Sequence, residues 1–145
     1  MKEDNRPVKM IYLCGPIDAI SKEESSAWRT IAYDKLATMG IVSAVPGLET
    51  IKLTCEQIVE LDSTMINLCD TVLINLNFLN DTSKQRIGTG TLIEIGMSFA
   101  RNKKLIAFSE QPISDKFLFL KGMCDVVVST MDEALQIIKT INEGA

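Results

Sequence analysis

The sequence contains no histidine. That excludes the Ser-His-Asp and Cys-His nucleophile systems and any zinc site built on imidazole. Acid–base or nucleophilic chemistry must fall to Asp, Glu, Tyr, Lys, Cys or Ser. Cysteine is sparse: Cys14, Cys55, Cys69 and Cys124 form no CxxC pair and read as buried, reduced thiols rather than a disulfide scaffold. No apolar run approaches the roughly 18 to 20 residues of a membrane span. The opening MKEDNRPVKM is mixed in charge and lacks a signal-peptide core. A cytoplasmic protein that does not engage a membrane is therefore expected. A basic excess is also missing, with 15 Lys+Arg against 19 Asp+Glu for a net charge of −4. That argues against a nucleic-acid polymer as partner, because such affinity rests on neutralising phosphates. A single bound nucleotide is compatible with it, since one helix N-terminus can hold a phosphate. Repeats, linkers, heptads and low-complexity segments are absent, so the 145 residues are expected to form one domain, 1–145.

Apolar runs alternate with helical patterns along the chain. VKMIYLC (8–14) is a nearly continuous apolar run that stops at Gly15-Pro16, as a strand buried on both faces would. A helix pattern over 23–39 carries Ala27, Trp28, Ile31, Ala32, Leu36 and Met39, and Gly40 closes it. IVSAV (41–45) reads as the second strand. Thr54 and Gln57 form a capping box for a helix whose Ile58, Leu61, Met65 and Leu68 share one face. Residues 71–76 read as the third strand, 77–88 as a polar irregular loop, 89–101 as a helix and KLIAF (104–108) as the fourth strand. A short helix is expected near 116–120. DVVVS (125–129) reads as the fifth strand, followed by a last helix capped by Thr130 and Glu133. The alternation predicts a three-layer α/β sandwich: about five parallel strands with helices on both faces, in the flavodoxin-like, Rossmann-like order 2-1-3-4-5.

In such a sheet ligands bind beyond the carboxyl ends of the strands, where the order reverses. Here that is between the first and third strands. The turn of Gly15, Pro16, Ile17 and Asp18 and the segment from Asn75 to Gly90 meet there, with Tyr12 and Cys14 beneath. Gly88, Thr89 and Gly90 can bring backbone N–H groups close to a ligand. Their spacing is neither a P-loop nor a dinucleotide fingerprint, and a tight entry to a helix is the plainer account of it. Glu94 is open to two readings: an acid favoured near a helix start by the macrodipole, or a carboxylate nucleophile on the crevice floor. Asp70 reads as a turn residue before the third strand, and Asp62 as a surface acid beside an apolar face.

Taken together, IYLCGP, LDSTMINLCDTVLINL and GTLIEIGMSFARNKKLI resemble the signatures of the nucleoside 2-deoxyribosyltransferase family in order and spacing across residues 11–108. The resemblance implies that Glu94, the glutamate of a GTxxE pattern, attacks the anomeric carbon of a 2′-deoxynucleoside. A covalent deoxyribosyl-enzyme forms and a second base or water takes the sugar, without metal or cofactor. It implies a catalytic or substrate-contacting role for Asp70. It places Tyr12, Cys14, Gly15, Pro16 and Ile17 along the pocket, with Asn75 and the Gly88, Thr89, Gly90, Thr91 entry opposite. Many members carry an aspartate six residues before the nucleophile, where this chain has Gly88. Relatives that hydrolyse nucleoside 5′-monophosphates often have a small residue there, which makes monophosphate hydrolysis the alternative activity. Asp70, Asp18 or a water would then supply the leaving-group proton. The family also completes its site from a neighbouring subunit, near Phe117 or Ser114 here, which implies a homodimer or larger homo-oligomer. A protein that binds a nucleotide without turnover is the reading from another class.

Overall fold

The computed structural model describes residues 7–17, 21–47, 51–77 and 88–144. The strands are β1 (Met10–Cys14), β2 (Val42–Ala44), β3 (Thr71–Asn75), β4 (Lys104–Phe108) and β5 (Val126–Val128). All pairings are parallel, in the order β2-β1-β3-β4-β5. The helices are α1 (Lys22–Ala37), α2 (Cys55–Leu68), α3 (Thr89–Ala100), α4 (Leu118–Met123) and α5 (Met131–Glu143), with a 3-10 turn at Asp115–Phe117 before α4. The expected order and the three layers are both present.

The central strands alternate between two cores, as the two-residue period of a strand requires. Ile11, Leu13, Leu73, Ile106 and Phe108 face α1 and α5, against Trp28, Ala32, Leu36, Ala134, Leu135 and Ile138. Tyr12, Cys14, Val72, Ile74, Leu105 and Ala107 face α2, α3 and α4, against Ile66, Ile95 and Leu120. Local chemistry sets the helix starts. Thr54 and Gln57 exchange the capping-box bonds at 3.2 and 2.9 Å, and Thr130 accepts from the Glu133 N–H at 3.1 Å. At the end of α1, Gly40 adopts φ +75 while Ile41 N–H reaches back to Leu36 O at 3.1 Å, the left-handed closure that glycine permits.

α1 turns inward most of the face its apolar spacing suggests, through Trp28, Ala32 and Leu36, whereas α2 turns a different one. In α1 the buried residues are Ser25, Trp28, Arg29, Ala32 and Leu36, while Ile31 is exposed. In α2 only Ile66 is fully buried; Ile58, Leu61 and Leu68 stand exposed. The inward stripe runs instead through Asp62, Ile66 and Cys69, at i, i+4 and i+7, with Ile66 and Cys69 buried and Asp62 half-buried. Of the cysteines, Cys14 and Cys69 are buried, Cys124 is intermediate and Cys55 is exposed at the first turn of α2. Cys55 lies between Thr54 and Glu56 on the solvated capping turn, which corrects the expectation that all four are buried. Among the described residues, no helix is long and apolar enough to cross a membrane.

Candidate active site

The parallel sheet places the carboxyl ends of β1 and β3 side by side, with Cys14 paired to Ile74. α3 begins beside them. Its N-cap, Gly88, contributes no side-chain hydrogen bond, so among the described residues no N-cap side chain serves the first N–H groups of the helix. The approach is close: a Cβ on Gly88 would lie 3.0 Å from Thr91 Oγ1 and 3.2 Å from Pro16 Cβ. Gly88 thus packs the α3 entry against the turn that follows β1. Thr91 is buried one turn in, and the Cys14 sulfur sits 3.9 Å from its carbonyl oxygen.

The second turn of α3 carries Glu94. The Tyr12 hydroxyl, rising from β1, donates a hydrogen bond to Glu94 Oε2. Burial raises the Glu94 carboxyl from 4.5 to about 7; the Tyr12 hydrogen bond and the Arg29 charge oppose that rise, and the Asp62 charge adds to it. Burial first, and the Glu94 charge second, push the Tyr12 phenol upward. Tyr12 therefore stays protonated at neutral pH and can only donate to the carboxylate when Glu94 ionises. Cys14 is driven upward mainly by burial and next by Glu94, which leaves it a neutral thiol under the site rather than a second nucleophile. The pair thus presents a half-buried carboxyl with one oxygen held by a phenol.

The other expected residues divide. Gly15 and Pro16 are buried at the end of β1, with Ile17 half-exposed beyond them. Asn75 is buried at the end of β3, its Oδ1 accepting the Asn77 N–H at 2.9 Å. Thr89 and Gly90 lie exposed at the mouth. Asp18 and residues 78–87 lie outside the described residues. Asp70 is not brought to this cluster. It precedes β3 at the amino-terminal edge of the sheet, where its Oδ2 accepts the Lys9 and Met10 N–H groups at 2.9 and 3.2 Å and its Oδ1 the Thr71 hydroxyl at 2.7 Å. There it joins β1 to β3, away from the crevice at the carboxyl edge, and this corrects the pairing of Asp70 with Glu94. Replacement of Asp70 by Ala is expected to cost on the order of 2 kcal/mol of stability and to leave turnover per folded molecule unchanged; chemical denaturation beside an activity assay would check both.

Two further residues belong to the cluster: Asp62, expected to be a surface acid, and Arg29, which carried no expectation from sequence. Asp62 lies near enough for its charge to raise Glu94, Tyr12 and Cys14 together. The signal available in sequence was the 62-66-69 stripe, one residue out of phase with the stronger apolar one. Arg29 is 2% exposed, on the buried stripe of α1. Among the described residues no group of His, Cys, Asp and Glu could hold a metal ion.

The sequence profile described as Nucleoside 2-deoxyribosyltransferase matches residues 11–124. Among solved structures, the fold is similar to a 2-desoxiribosyltransferase from Leishmania mexicana, with a TM-score of 0.71 and 18% identity over 91% of this chain and 97% of that one. It is similar also to the Clostridium botulinum CMP N-glycosidase BcmB, with a TM-score of 0.63 and 21% identity over 91% and 99%. A conserved protein from Enterococcus faecalis V583 gives 0.61 and 18% over 92% and 98%. No curated protein sequence matches the chain.

Proposed function

Because the chain belongs to the nucleoside 2-deoxyribosyltransferase family, we propose that it cleaves the N-glycosidic bond of a 2′-deoxynucleoside through Glu94 and transfers the sugar to another base. The observation that carries this is the Tyr12–Glu94 pair at the crevice between β1 and β3. In the first step a Glu94 oxygen bonds to the anomeric carbon as the carbon–nitrogen bond breaks. The bonding pair leaves with the base, which takes up one proton. In the second step a nitrogen of the incoming base bonds to the same carbon, loses its proton, and frees the Glu94 carboxylate. Dividing one displacement into two is what a carboxylate nucleophile contributes at an oxocarbenium-like centre. Tyr12 holds the carboxylate in place. Among the described residues Asp62, whose charge reaches Glu94, is the carboxyl placed to exchange the proton of the leaving base.

Hydrolysis of a nucleoside 5′-monophosphate is the second reading. Its support is the Gly88–Gly90 start of α3, where the N-cap Gly88 makes no side-chain hydrogen bond and where backbone amides and dipole suit a phosphate. Exposed Ile58 and Leu61 on α2, with Ile93 and Phe99 on α3, are the side chains that the contact of a homo-oligomer would cover; sedimentation velocity reads its size.

Incubation with deoxynucleosides, ribonucleosides and their 5′-monophosphates, with and without an acceptor base, is followed by chromatography. Base exchange on deoxynucleosides is the expected result. Release from monophosphates alone would establish the hydrolase. Thermal stabilisation by a substrate without any base release would make the protein a binder.

A further inference from the structure

We propose that Arg29 is a positioning residue of the active site, its guanidinium setting the path of the turn between β1 and the start of α3. Its Nε donates to Leu13 O at 3.3 Å, its Nη2 to Gly15 O at 2.7 Å, and its Nη1 to Ser25 O and Oγ at 2.7 and 2.8 Å. These bonds end on neutral oxygens. A charge 2% exposed is costly to desolvate, and a hydrophobic side chain would serve packing as well. What the fork supplies is geometry: two donors aimed at the Leu13 and Gly15 carbonyls, on either side of the last residue of β1.

The turn has little freedom around that fork. A Cβ on Gly15 would lie 2.9 Å from Trp28 Cζ2 and 3.4 Å from Arg29 Nη2, so the backbone rests directly on these two side chains. The guanidinium in turn lies 4.8 Å from the centroid of the Trp28 ring, and Trp28 meets Phe108 edge-on at 5.9 Å. On the other side of the turn, Pro16 abuts Gly88, the N-cap of α3. A contact path therefore runs from Arg29 through Gly15, Pro16 and Gly88 to the helix that presents Glu94. The Arg29 charge also lowers the Glu94 carboxyl, against burial and the Asp62 charge, with Tyr12 bonded to the same group.

The role rests on Glu94 as nucleophile, and one of its tests does not. Arg29→Lys keeps the charge and loses the fork; Arg29→Ala loses both. Cys14, beside the turn, and Cys69, near the opposite edge of the sheet, are both buried and act as reporter and control for iodoacetamide labelling read by peptide mass spectrometry. In both variants Cys14 is expected to label about 10-fold faster or more while Cys69 stays protected, the signature of local opening. kcat is expected to fall about 10-fold or more with a smaller change in KM. The pH midpoint of kcat rises in Arg29→Ala and stays in Arg29→Lys. Arg29 also lines a cavity of about 580 Å³ between α1 and the end of β2, with Lys22, Tyr33 and Val45. Guanidinium ion at low concentration has a route to the void in Arg29→Ala and is expected to restore part of kcat. Equal opening of Cys14 and Cys69 would reduce Arg29 to a fold-stabilising residue, and protected Cys14 with wild-type kcat would remove it from the site. If the wild-type protein releases no base from any substrate, the proposed reaction fails, and the labelling contrast alone decides whether Arg29 holds the turn.

Discussion

Replacing Glu94 by Gln is expected to abolish base release, by at least about 10⁴-fold, and at the same time to stabilise the protein at alkaline pH. Both effects follow from one environment. The carboxylate is held by the Tyr12 hydroxyl, and an amide of the same shape keeps that neighbour while losing the nucleophile. The stability effect has a definite sign. Burial raises the folded carboxyl from 4.5 to about 7, so between those values the folded protein holds a proton that the unfolded chain has released. Stability therefore falls as pH rises through that window, and above it the buried charge costs up to about 3 kcal/mol. Gln has no proton to lose and escapes the cost. Thermal melts of both proteins at pH 5 and pH 8 should show Glu94→Gln higher at pH 8, with the gap narrowing toward pH 5. A variant that melts lower at pH 8 would show that the carboxylate is not strained there, and retained turnover would remove Glu94 from the mechanism. The same shift requires the wild-type rate to rise with pH through about 7, since attack needs the ionised form.

The second large effect belongs to Asp62. Asp62→Asn is expected to lower base release by about 10² to 10⁴-fold, the range for loss of a general acid. It should also move the pH midpoint of Glu94 downward, because the Asp62 charge is one of the causes that raise it. The two readouts separate roles: a proton donor lowers kcat, and a neighbouring charge shifts the midpoint. Unchanged kcat with a lowered midpoint would make Asp62 an electrostatic neighbour only. Unchanged values of both would place it outside the site.

A trade between stability and activity follows from this arrangement. A carboxyl held in a half-buried pocket, beside a second acid and under a phenol that stays protonated, is costly to ionise, and in the proposed reaction that cost is what makes it reactive toward a cationic carbon.

How much of this was legible in the sequence depended on the kind of signal. The strands are short apolar runs ended by Gly-Pro, Pro-Gly or polar residues, and each is where its run predicts. The alternation with helices determined a parallel sheet, and the general rule for such sheets placed the site at the carboxyl ends of β1 and β3. The resemblance to the family's GTxxE pattern singled out Glu94 as the candidate nucleophile. The face that α2 turns inward, by contrast, was decided only in three dimensions. Two stripes lie on that helix, Ile58-Leu61-Met65-Leu68 and Asp62-Ile66-Cys69, about 100° apart. Hydrophobicity favours the first, but the sheet accepts the second, because only that rotation seats Ile66 and Cys69 against β1 and β3. With it came the exchange of Asp70 for Asp62 beside Glu94. The burial of Arg29 is of the same kind: a guanidinium on an apolar stripe reads as a surface residue until the end of β1 supplies the Leu13 and Gly15 carbonyls to accept its bonds. Sequence thus fixed which segments form and where a ligand meets them, through local chemistry and period. The tertiary structure decided which charged groups share the pocket, because burial of a charge depends on partners far apart in the chain.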